Sequence, residues 1–209
     1  MRPADITAIV LCGGSGTRLG GVEKPLLRVG RARVIDHLLA ALSPQVGTIL
    51  LSCGRDTTAY EDLGLLSIPD LRPGDGPLGG IVSALPYVET DWILSHPGDV
   101  PFPDTSLVAR LAPVAEVGGI AVPKTRGIRQ NLTLLISRAK AAELARFYEQ
   151  GGRAARDWLD ATGADGVDMS DLAESFLNIN TAADVRSATQ RSSEYAEPMA
   201  LDRQRSPGH

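Results

Sequence analysis

Residues 6–21 of the chain read ITAIVLCGGSGTRLGG and decide its fold. The run at residues 6–11 is apolar and β-branched, which predicts a strand. Five glycines then lie within residues 13–21 and predict a loop. The apolar residues beyond this loop repeat at helical spacing and predict a helix: Val34, Ile35, Leu38, Leu39 and Leu42. Strand, glycine loop and helix in this order indicate the first unit of an α/β fold.

The same alternation continues along the chain. Further strands are predicted at residues 48–52, 66–69, 92–96, 119–122 and 132–136, with weaker extended segments at 167–169 and 176–180. Helices are predicted at 81–85, 106–112, 138–150 and 181–188. Because the strand at 48–52 is almost wholly apolar, we expect crossover helices to bury both of its faces. The predicted fold is α/β: a three-layer, doubly wound domain with a mostly parallel sheet.

One domain accounts for most of the 209 residues. We expect it to span residues 1–188, because residues 189–209 are polar and aperiodic and predict a disordered tail. The net charge of −4 and the aromatic content of 4% argue against a nucleic-acid partner. No apolar run approaches the ~18 residues of a spanning helix, and the first residues lack a secretory pattern. We therefore expect a cytoplasmic protein with no membrane partner.

Two familiar phosphate-binding motifs do not fit the glycine loop. A P-loop needs GxxxxGK, but Gly16 and Gly21 are followed by Val22. A dinucleotide fingerprint needs GxGxxG, but Leu19 stands at the position of the third glycine. The loop therefore belongs to neither class.

The loop does offer free backbone N–H groups and two nearby cations, Arg18 and Lys24. An arginine can bind two phosphate oxygens at once, and a lysine adds a compact positive charge. These groups favour a triphosphate ligand. On these residues alone the alternative stays open that the glycines only turn the chain and that both cations are solvated.

Asp99 follows the strand at 92–96, in a turn made rigid by Pro97, Gly98 and Pro101. Doubly wound sheets bind ligands beyond the carboxyl ends of their strands, where this turn and the glycine loop should meet. Mg²⁺ typically takes one or two protein carboxylates together with substrate phosphates. Asp99 is therefore a candidate Mg²⁺ ligand, and the alternative is that it only forms the turn.

Five motifs in this order resemble those of molybdenum cofactor guanylyltransferases, the MobA-type nucleotidyltransferases. They are LCGG at 11–14 with Arg18, GGVEK at 20–24, GPLGG at 76–80, PGDVP at 97–101 and NINT at 178–181. The resemblance covers about residues 6–185 and implies a Rossmann-like nucleotidyltransferase domain. It also implies transfer of GMP from GTP to molybdopterin bearing molybdenum, with Mg²⁺ as cofactor and pyrophosphate as the second product.

The resemblance also implies roles for individual residues. Leu11, Cys12 and Gly13 would hold the nucleotide through their backbone, Lys24 would contact phosphate, and Asp99 would bind Mg²⁺. The catalytic residues would be Arg18, Lys24 and Asp99.

Other implied contacts surround the nucleotide base and the acceptor. Ser52 and Asp70 would contact the nucleotide, although family members often carry Asn at the position of Ser52. A loop with Pro77, Leu78 and Gly79 would border the guanine, and Asn178 and Asn180 would lie on the pterin side. A second departure from the family is Gly98, where Cys or Ala is usual.

Three other functions compete with this one. Cytidylyl transfer to molybdopterin fits the chain length, but Gly13 and Gly14 favour guanine. The loop also resembles that of sugar-1-phosphate nucleotidyltransferases, which are usually longer. A non-catalytic nucleotide-binding module would not need Arg18, Lys24 and Asp99 together. Transient contact with other molybdenum cofactor proteins or with apo-molybdoenzymes is a further expectation.

Some residues near the expected site have no assigned role. Cys12 and Cys53 each lie one residue past a strand, and we expect them within disulfide-forming distance at an oxidation-sensitive site. His96 is a weaker candidate for lining the site, because it ends the strand before Asp99. Three residues after the strand at 119–122 are weak candidates for the pterin phosphate: Arg126, Arg129 and Gln130.

Overall fold

The computed structural model describes residues 1–13 and 23–192. Within them the strands are β1 (Ile6–Leu11), β2 (Arg28–Val29), β3 (Ala32–Arg33), β4 (Thr48–Ser52), β5 (Leu66–Ile68), β6 (Trp92–Pro97), β7 (Ile120–Ala121), β8 (Pro123–Thr125), β9 (Ile128–Arg129), β10 (Leu134–Ser137) and β11 (Val167–Asp168). The helices are α1 (Val34–Leu42), α2 (Pro77–Ala84), α3 (Leu107–Gly118), α4 (Arg138–Glu149), α5 (Ala155–Thr162) and α6 (Ala182–Ser192).

A six-stranded sheet forms the centre of the domain, in the order β5-β4-β1-β6-β10-β7. β1 pairs in parallel with β4 and β6, so that Leu11 lies between Ser52 and Pro97. β5 extends the sheet in parallel beyond β4. The carboxyl ends of these four strands therefore meet at one edge, where doubly wound sheets bind ligands.

Helices cover both faces of the sheet. On one face, α1 and α3 pack onto Val10 and Leu94 through apolar side chains such as Leu38 and Leu111. On the other face, α2, α4 and α5 form a second apolar cluster with Ile9. Every residue of β1 is buried, because its side chains alternate between these two clusters. The predicted three-layer α/β fold is confirmed.

β10 makes the sheet mixed, because it runs antiparallel to both β6 and β7. After β7 the chain forms the β8–β9 hairpin and then returns directly into the sheet. A parallel return would need a crossover segment, usually a helix, and this connection has none. The sheet is therefore mostly parallel, as predicted, with one strand reversed.

The structure differs from the sequence prediction in the length of two helices. α2 begins at Pro77 rather than at residue 81, although Gly79 and Gly80 are poor helix formers. α3 continues to Gly118 through Pro113, beyond the predicted end at residue 112. In both helices packing against the sheet outweighs local propensity.

Some short elements were not predicted, and one predicted strand is divided. The β2–β3 hairpin, β9 and α5 are absent from the sequence prediction. The predicted strand at 119–122 is replaced by β7 and β8, which belong to different sheets.

The C-terminal helix extends past the predicted domain boundary at residue 188. α6 runs to Ser192, so residues 189–192 are helical rather than part of a tail. The reason is packing: Ala188 is buried in a small apolar cluster with Val29, and the N–H of Gly30 donates to Thr189 Oγ1 over 3.3 Å. The rest of the expected tail, 193–209, lies outside the described residues and stays a prediction. None of the helices described is both long and apolar enough to cross a membrane.

Candidate functional site

Two neighbouring cavities lie at the carboxyl edge of the sheet. The larger has a volume of about 620 Å³ and lies over β4, β5 and the start of α2. The smaller, of about 290 Å³, lies between β6 and the segment that contains Asn178. Leu11, Gly13 and Pro77 line both cavities. Their sizes suit small-molecule ligands, and their shared wall would bring two ligands into contact.

The floor of the larger cavity is a close contact between Ser52, Asp70 and Gly80. Ser52 Oγ donates a hydrogen bond to Asp70 Oδ1 over 3.1 Å. A Cβ atom at Gly80 would lie only 2.4 Å from Ser52 Oγ, so a glycine lets α2 approach β4. Burial raises the pKa of the Asp70 carboxyl, while hydrogen bonds from Ser52 and Gly54 oppose this shift. Asp70 thus presents a half-buried acceptor to a ligand in this cavity.

The predicted base-bordering loop contributes only in part. Pro77 lines the larger cavity, but the side chain of Leu78 is fully buried in the core. Gly79 packs beside Asp75 and Tyr148 instead. The cavity wall is formed by residues just before α2: Pro73, Gly74 and Gly76.

The smaller cavity contains a cluster of polar side chains around Asp99. Lys24 Nζ lies 3.1 Å from Asp99 Oδ2 and donates to Asn180 Oδ1 over 2.6 Å. Asn178 Nδ2 donates to Asp99 Oδ1 over 3.3 Å. Four residues that the sequence singled out separately therefore meet at one point.

Backbone contacts hold this cluster together. The N–H of Ile179 donates to the carbonyl of Asp99 over 2.8 Å, which joins the NINT segment to the turn after β6. Asp184 accepts the N–H groups of Asn180 and Thr181 at the start of α6. The C-terminal helix thus positions Asn180, and the turn after β6 holds the residue between the two asparagines.

Gly98 is required by a close approach of two strand ends. Its N–H donates to the carbonyl of Leu11 over 2.9 Å. A Cβ atom at this position would lie 2.8 Å from the same carbonyl and 3.1 Å from Pro25 Cγ. The departure from the family pattern at this position therefore has a local steric reason.

Arg18 and most of the glycine loop, residues 14–22, lie outside the described residues. The structure resumes at Glu23, which lines the larger cavity and accepts a hydrogen bond from the buried Tyr60 hydroxyl over 3.1 Å. This contact fixes the chain immediately before Lys24. The sequence analysis assigned no role to Tyr60, which lies in a short helical turn far from any motif.

Cys12 and Cys53 are buried next to each other beneath the site, and both are free thiols. They follow Leu11 and Ser52, which are paired across neighbouring strands. Contact with the Cys53 thiol, together with burial, raises the pKa of Cys12 well above its usual range, whereas the same contact lowers that of Cys53. The two thiols are therefore in contact, and their ability to form a disulfide stays a prediction.

Two groups of weaker candidates have structural roles. Arg129 binds Asp160 and donates to the carbonyl of Ala164 over 2.8 Å, which ties the β8–β9 hairpin to α5. Gln130 Nε2 donates to Thr125 Oγ1 within the same hairpin. These contacts occupy both side chains and leave neither directed at an acceptor phosphate.

His96 is fully buried in β6 and lines neither cavity among the described residues. Its Nδ1 lies 2.9 Å from the carbonyl of Pro97, and burial lowers the pKa of His96 to about 4. The residue is therefore neutral at pH 7 and belongs to the core.

This burial predicts a loss of stability in acid. The unfolded chain takes up a proton near pH 6.5 and the folded chain only near pH 4, so stability falls as the pH drops through this window. Between pH 7 and pH 5 we expect His96 to account for about 2 kcal/mol of the lost unfolding free energy. Urea denaturation at both pH values should show a smaller loss of unfolding free energy for His96→Leu than for wild type. Equal losses in the two proteins would contradict the prediction.

Comparison with known proteins agrees with this geometry. Residues 8–166 match the model of the MobA-like NTP transferase domain. A molybdenum cofactor guanylyltransferase from Ralstonia nicotianae is 38% identical over 200 residues, which cover 90% of this chain and 98% of that protein. A protein of the same name from Cupriavidus necator is 34% identical over 195 residues, with the same coverage.

Solved structures show the same fold. The molybdopterin-guanine dinucleotide biosynthesis protein A of Archaeoglobus fulgidus superimposes with a TM-score of 0.71 at 26% identity, covering 90% of this chain and 99% of that one. A 2-C-methyl-D-erythritol 4-phosphate cytidylyltransferase from Thermus thermophilus has a TM-score of 0.70 at 18% identity, covering 88% and 98%, and shares the fold alone. The chain therefore belongs to the MobA-like NTP transferase family and, within it, groups with the molybdenum cofactor guanylyltransferases.

Proposed function

We propose that this nucleotidyltransferase transfers GMP from GTP to the terminal phosphate of molybdopterin bearing molybdenum and releases pyrophosphate. The observation that carries the proposal is the junction of the two cavities, which share Leu11, Gly13 and Pro77. GTP would occupy the larger cavity and the acceptor the smaller one. The α-phosphate would then lie at the shared wall, beside Lys24 and Asp99.

Guanine suits the floor of the larger cavity. The Asp70 carboxylate is an acceptor, and the Watson–Crick edge of guanine carries N–H donors at two neighbouring positions. Cytosine carries donors only at its amino group on that edge, so a carboxylate would make fewer hydrogen bonds to cytosine than to guanine. The names of the curated relatives support the same choice.

The reaction needs no general base, because the attacking phosphate is already an anion. Catalysis then consists of aligning this phosphate with the α-phosphorus and of stabilising the negative charge that accumulates. Lys24, near the shared wall, would bind phosphate oxygens. Asn178 and Asn180 would orient the acceptor from the opposite side. Arg18 would add a second cation from the glycine loop.

The donors around Asp99 fit Mg²⁺. Mg²⁺ keeps several waters and typically binds one or two carboxylates plus phosphate oxygens. Asp99 supplies one carboxylate, which accepts a hydrogen bond from Asn178 Nδ2, and the amide oxygen of Asn180 lies on the same Lys24 ammonium that contacts Asp99. When bound, Mg²⁺ supplies positive charge to the triphosphate. Lys24 contacts Asp99 directly, so metal binding requires this lysine to move toward the phosphates.

A pyrophosphate-release assay tests the proposal. Purified protein is incubated with each of the four NTPs, with and without Mg²⁺ and with and without molybdopterin bearing molybdenum. We expect release with GTP only when both Mg²⁺ and the acceptor are present. If pyrophosphate is released from CTP only, cytidylyl transfer replaces the proposal. If none of the four NTPs gives pyrophosphate under any condition, the proposal is rejected. Contact with apo-molybdoenzymes stays a prediction.

The thiol pair beneath the site predicts sensitivity to peroxide. One H₂O₂ would oxidise Cys12 and Cys53 to a disulfide, with two waters as the other products. Neighbouring strands lie ~4.8 Å apart, within the ~4.4–6.8 Å that a disulfide needs between its Cα atoms. The bridge would fix both cysteine side chains in one orientation and shift the backbone of Gly13 and Gly54, which pack against each other at the cavity wall. We therefore expect pyrophosphate release to fall by roughly tenfold or more.

The matched variant for this test is Cys53→Ser. Each protein is compared with its own untreated sample, and free thiols are titrated after treatment. Wild type should lose both thiols and most of its activity, whereas Cys53→Ser should keep the activity that it had. Two free thiols and unchanged activity in treated wild type would contradict the prediction.

A further inference from the structure

The wall of the larger cavity before α2 is anchored by a carboxylate. Residues 69–76 connect β5 to α2, and Pro73, Gly74 and Gly76 line the cavity. Gly74 and Gly76 have φ angles of +102° and +79°, in the region that favours glycine. Asp75 lies between them and points away from the cavity toward the end of α4. Because both flanking residues are glycines, the loop has little conformational preference of its own.

Asp75 binds one side chain from the last turn of α4 and one from the segment that follows it. Tyr148 Oη donates to Asp75 Oδ2 over 2.7 Å, and Arg153 Nε lies 3.1 Å from the same oxygen. Hydrogen bonds to a carboxylate are among the stronger ones in proteins. This carboxylate therefore links the loop to the end of α4.

Both donors are themselves held in place. Tyr148 is buried in the apolar cluster that contains α2 and α4. The Arg153 guanidinium stacks 4.3 Å from the centre of the Tyr148 ring, and its Nη1 donates to the carbonyls of Tyr148 and Gly152. Burial and the contact with Asp75 raise the pKa of Tyr148, so its hydroxyl remains a donor at neutral pH.

The start of α2 is shaped around this contact. A Cβ atom at Gly79 would lie 3.3 Å from both Asp75 Cβ and Tyr148 Oη. A larger residue there would push the tyrosine hydroxyl away from Asp75. The first glycine of the PLGG sequence, Gly79, thus has a role distinct from that of Gly80, which faces Ser52 inside the cavity.

We propose that Tyr148 is a positioning residue for nucleotide binding. Through Asp75 it holds residues 73–76 in the conformation that completes the nucleotide cavity, and it does not touch the nucleotide itself. This inference rests on the proposed function, in which the larger cavity binds GTP. If only a fraction of the molecules has this loop in the binding conformation, the apparent affinity for GTP is reduced to that fraction of its full value.

The test is Tyr148→Phe, which removes the hydroxyl and keeps the ring that packs in the core and stacks on Arg153. We expect the Kd and KM for GTP to rise about tenfold, with kcat nearly unchanged, because the loop lies away from Lys24 and Asp99. Tyr87→Phe, which removes a hydroxyl from an exposed tyrosine, is the matched control and should bind GTP like wild type.

A double variant separates positioning from a general loss of packing. Asp75→Ala, which removes the contacts to both Tyr148 and Arg153, should raise the KM for GTP by at least a similar factor. Adding Tyr148→Phe to Asp75→Ala should change the KM little further, since the contact of the Tyr148 hydroxyl is already lost. If wild type and Tyr148→Phe bind GTP equally well, or if Tyr148→Phe changes only kcat, the role assigned to Tyr148 is wrong. The proposed function is not affected by either outcome. A wild-type protein that binds no GTP would overturn the proposed function and the assignment that rests on it.

Discussion

Replacing Asp99 by Asn is expected to lower kcat for pyrophosphate release by about 10²–10³, the scale of one lost preorganised electrostatic group. Asn keeps the size of the side chain and can still accept a hydrogen bond from Lys24, so the fold around the turn should survive. The amide is a much weaker ligand for Mg²⁺ than a carboxylate. The apparent Mg²⁺ requirement should therefore rise, and kcat should be measured at saturating GTP over a series of Mg²⁺ concentrations.

The control for this experiment is Asp165→Asn. Asp165 is an exposed carboxylate that pairs with Lys124 and lies far from both cavities. Its removal changes the net charge equally and should leave turnover and the Mg²⁺ requirement as in wild type. Normal turnover of Asp99→Asn at limiting Mg²⁺ would show that Asp99 is not the metal ligand.

Replacing Lys24 by Met should lower kcat by about 10²–10³, as for Asp99→Asn. The variant lacks the cation that we place on the phosphates and keeps most of the side-chain volume. A second effect has the opposite sign: Asp99 Oδ2 loses its ion-pair partner at 3.1 Å and becomes available to a metal. The ligand-free variant should therefore bind Mn²⁺, as a probe for Mg²⁺, more tightly than wild type.

Lys140→Met is the matched control, because Lys140 pairs with Glu143 on the surface of α4. Mn²⁺ binding is followed by the loss of its free EPR signal, which does not depend on turnover. Tighter Mn²⁺ binding by Lys24→Met together with slow turnover would show that the metal site is intact and that the lost activity comes from the missing phosphate contact rather than from a structural defect. Unchanged Mn²⁺ affinity would show that Lys24 does not compete with the metal at Asp99.

Local patterns predicted the elements that carry the site. β1 and β4 are apolar runs with a glycine two residues after their ends, β6 ends at Pro97, and α4 has helical spacing with two glycines after it. Such signals depend only on neighbouring residues, so they can be identified from sequence. The sequence predicts the start of α2 four residues too late, because its glycines locally favour a loop. They are helical in the structure because the helix packs closely against Ser52, where only glycine leaves enough space.

The sequence predicts individual residues of the candidate site but not which of them contact one another. Lys24, Asp70, Asp99 and the two asparagines stand in recognisable motifs, and each follows or precedes an element that the sequence shows. Tyr60 and Tyr148 carry no such signal. Each lies outside the motifs, and its contact with Glu23 or Asp75 exists only because the chain folds back on itself.

By itself, the sequence determined the α/β class, the strands that end at one edge and the charged residues placed there. The tertiary structure alone decided which of those residues meet. Lys24 contacts Asp99 and Asn180 across 75 and 156 residues of chain, and Tyr148 reaches Asp75 across 73. Such pairs depend on strand order and on the crossovers between strands, which form through packing of the whole core. No local spacing encodes them, because propensity and periodicity act over a few residues only.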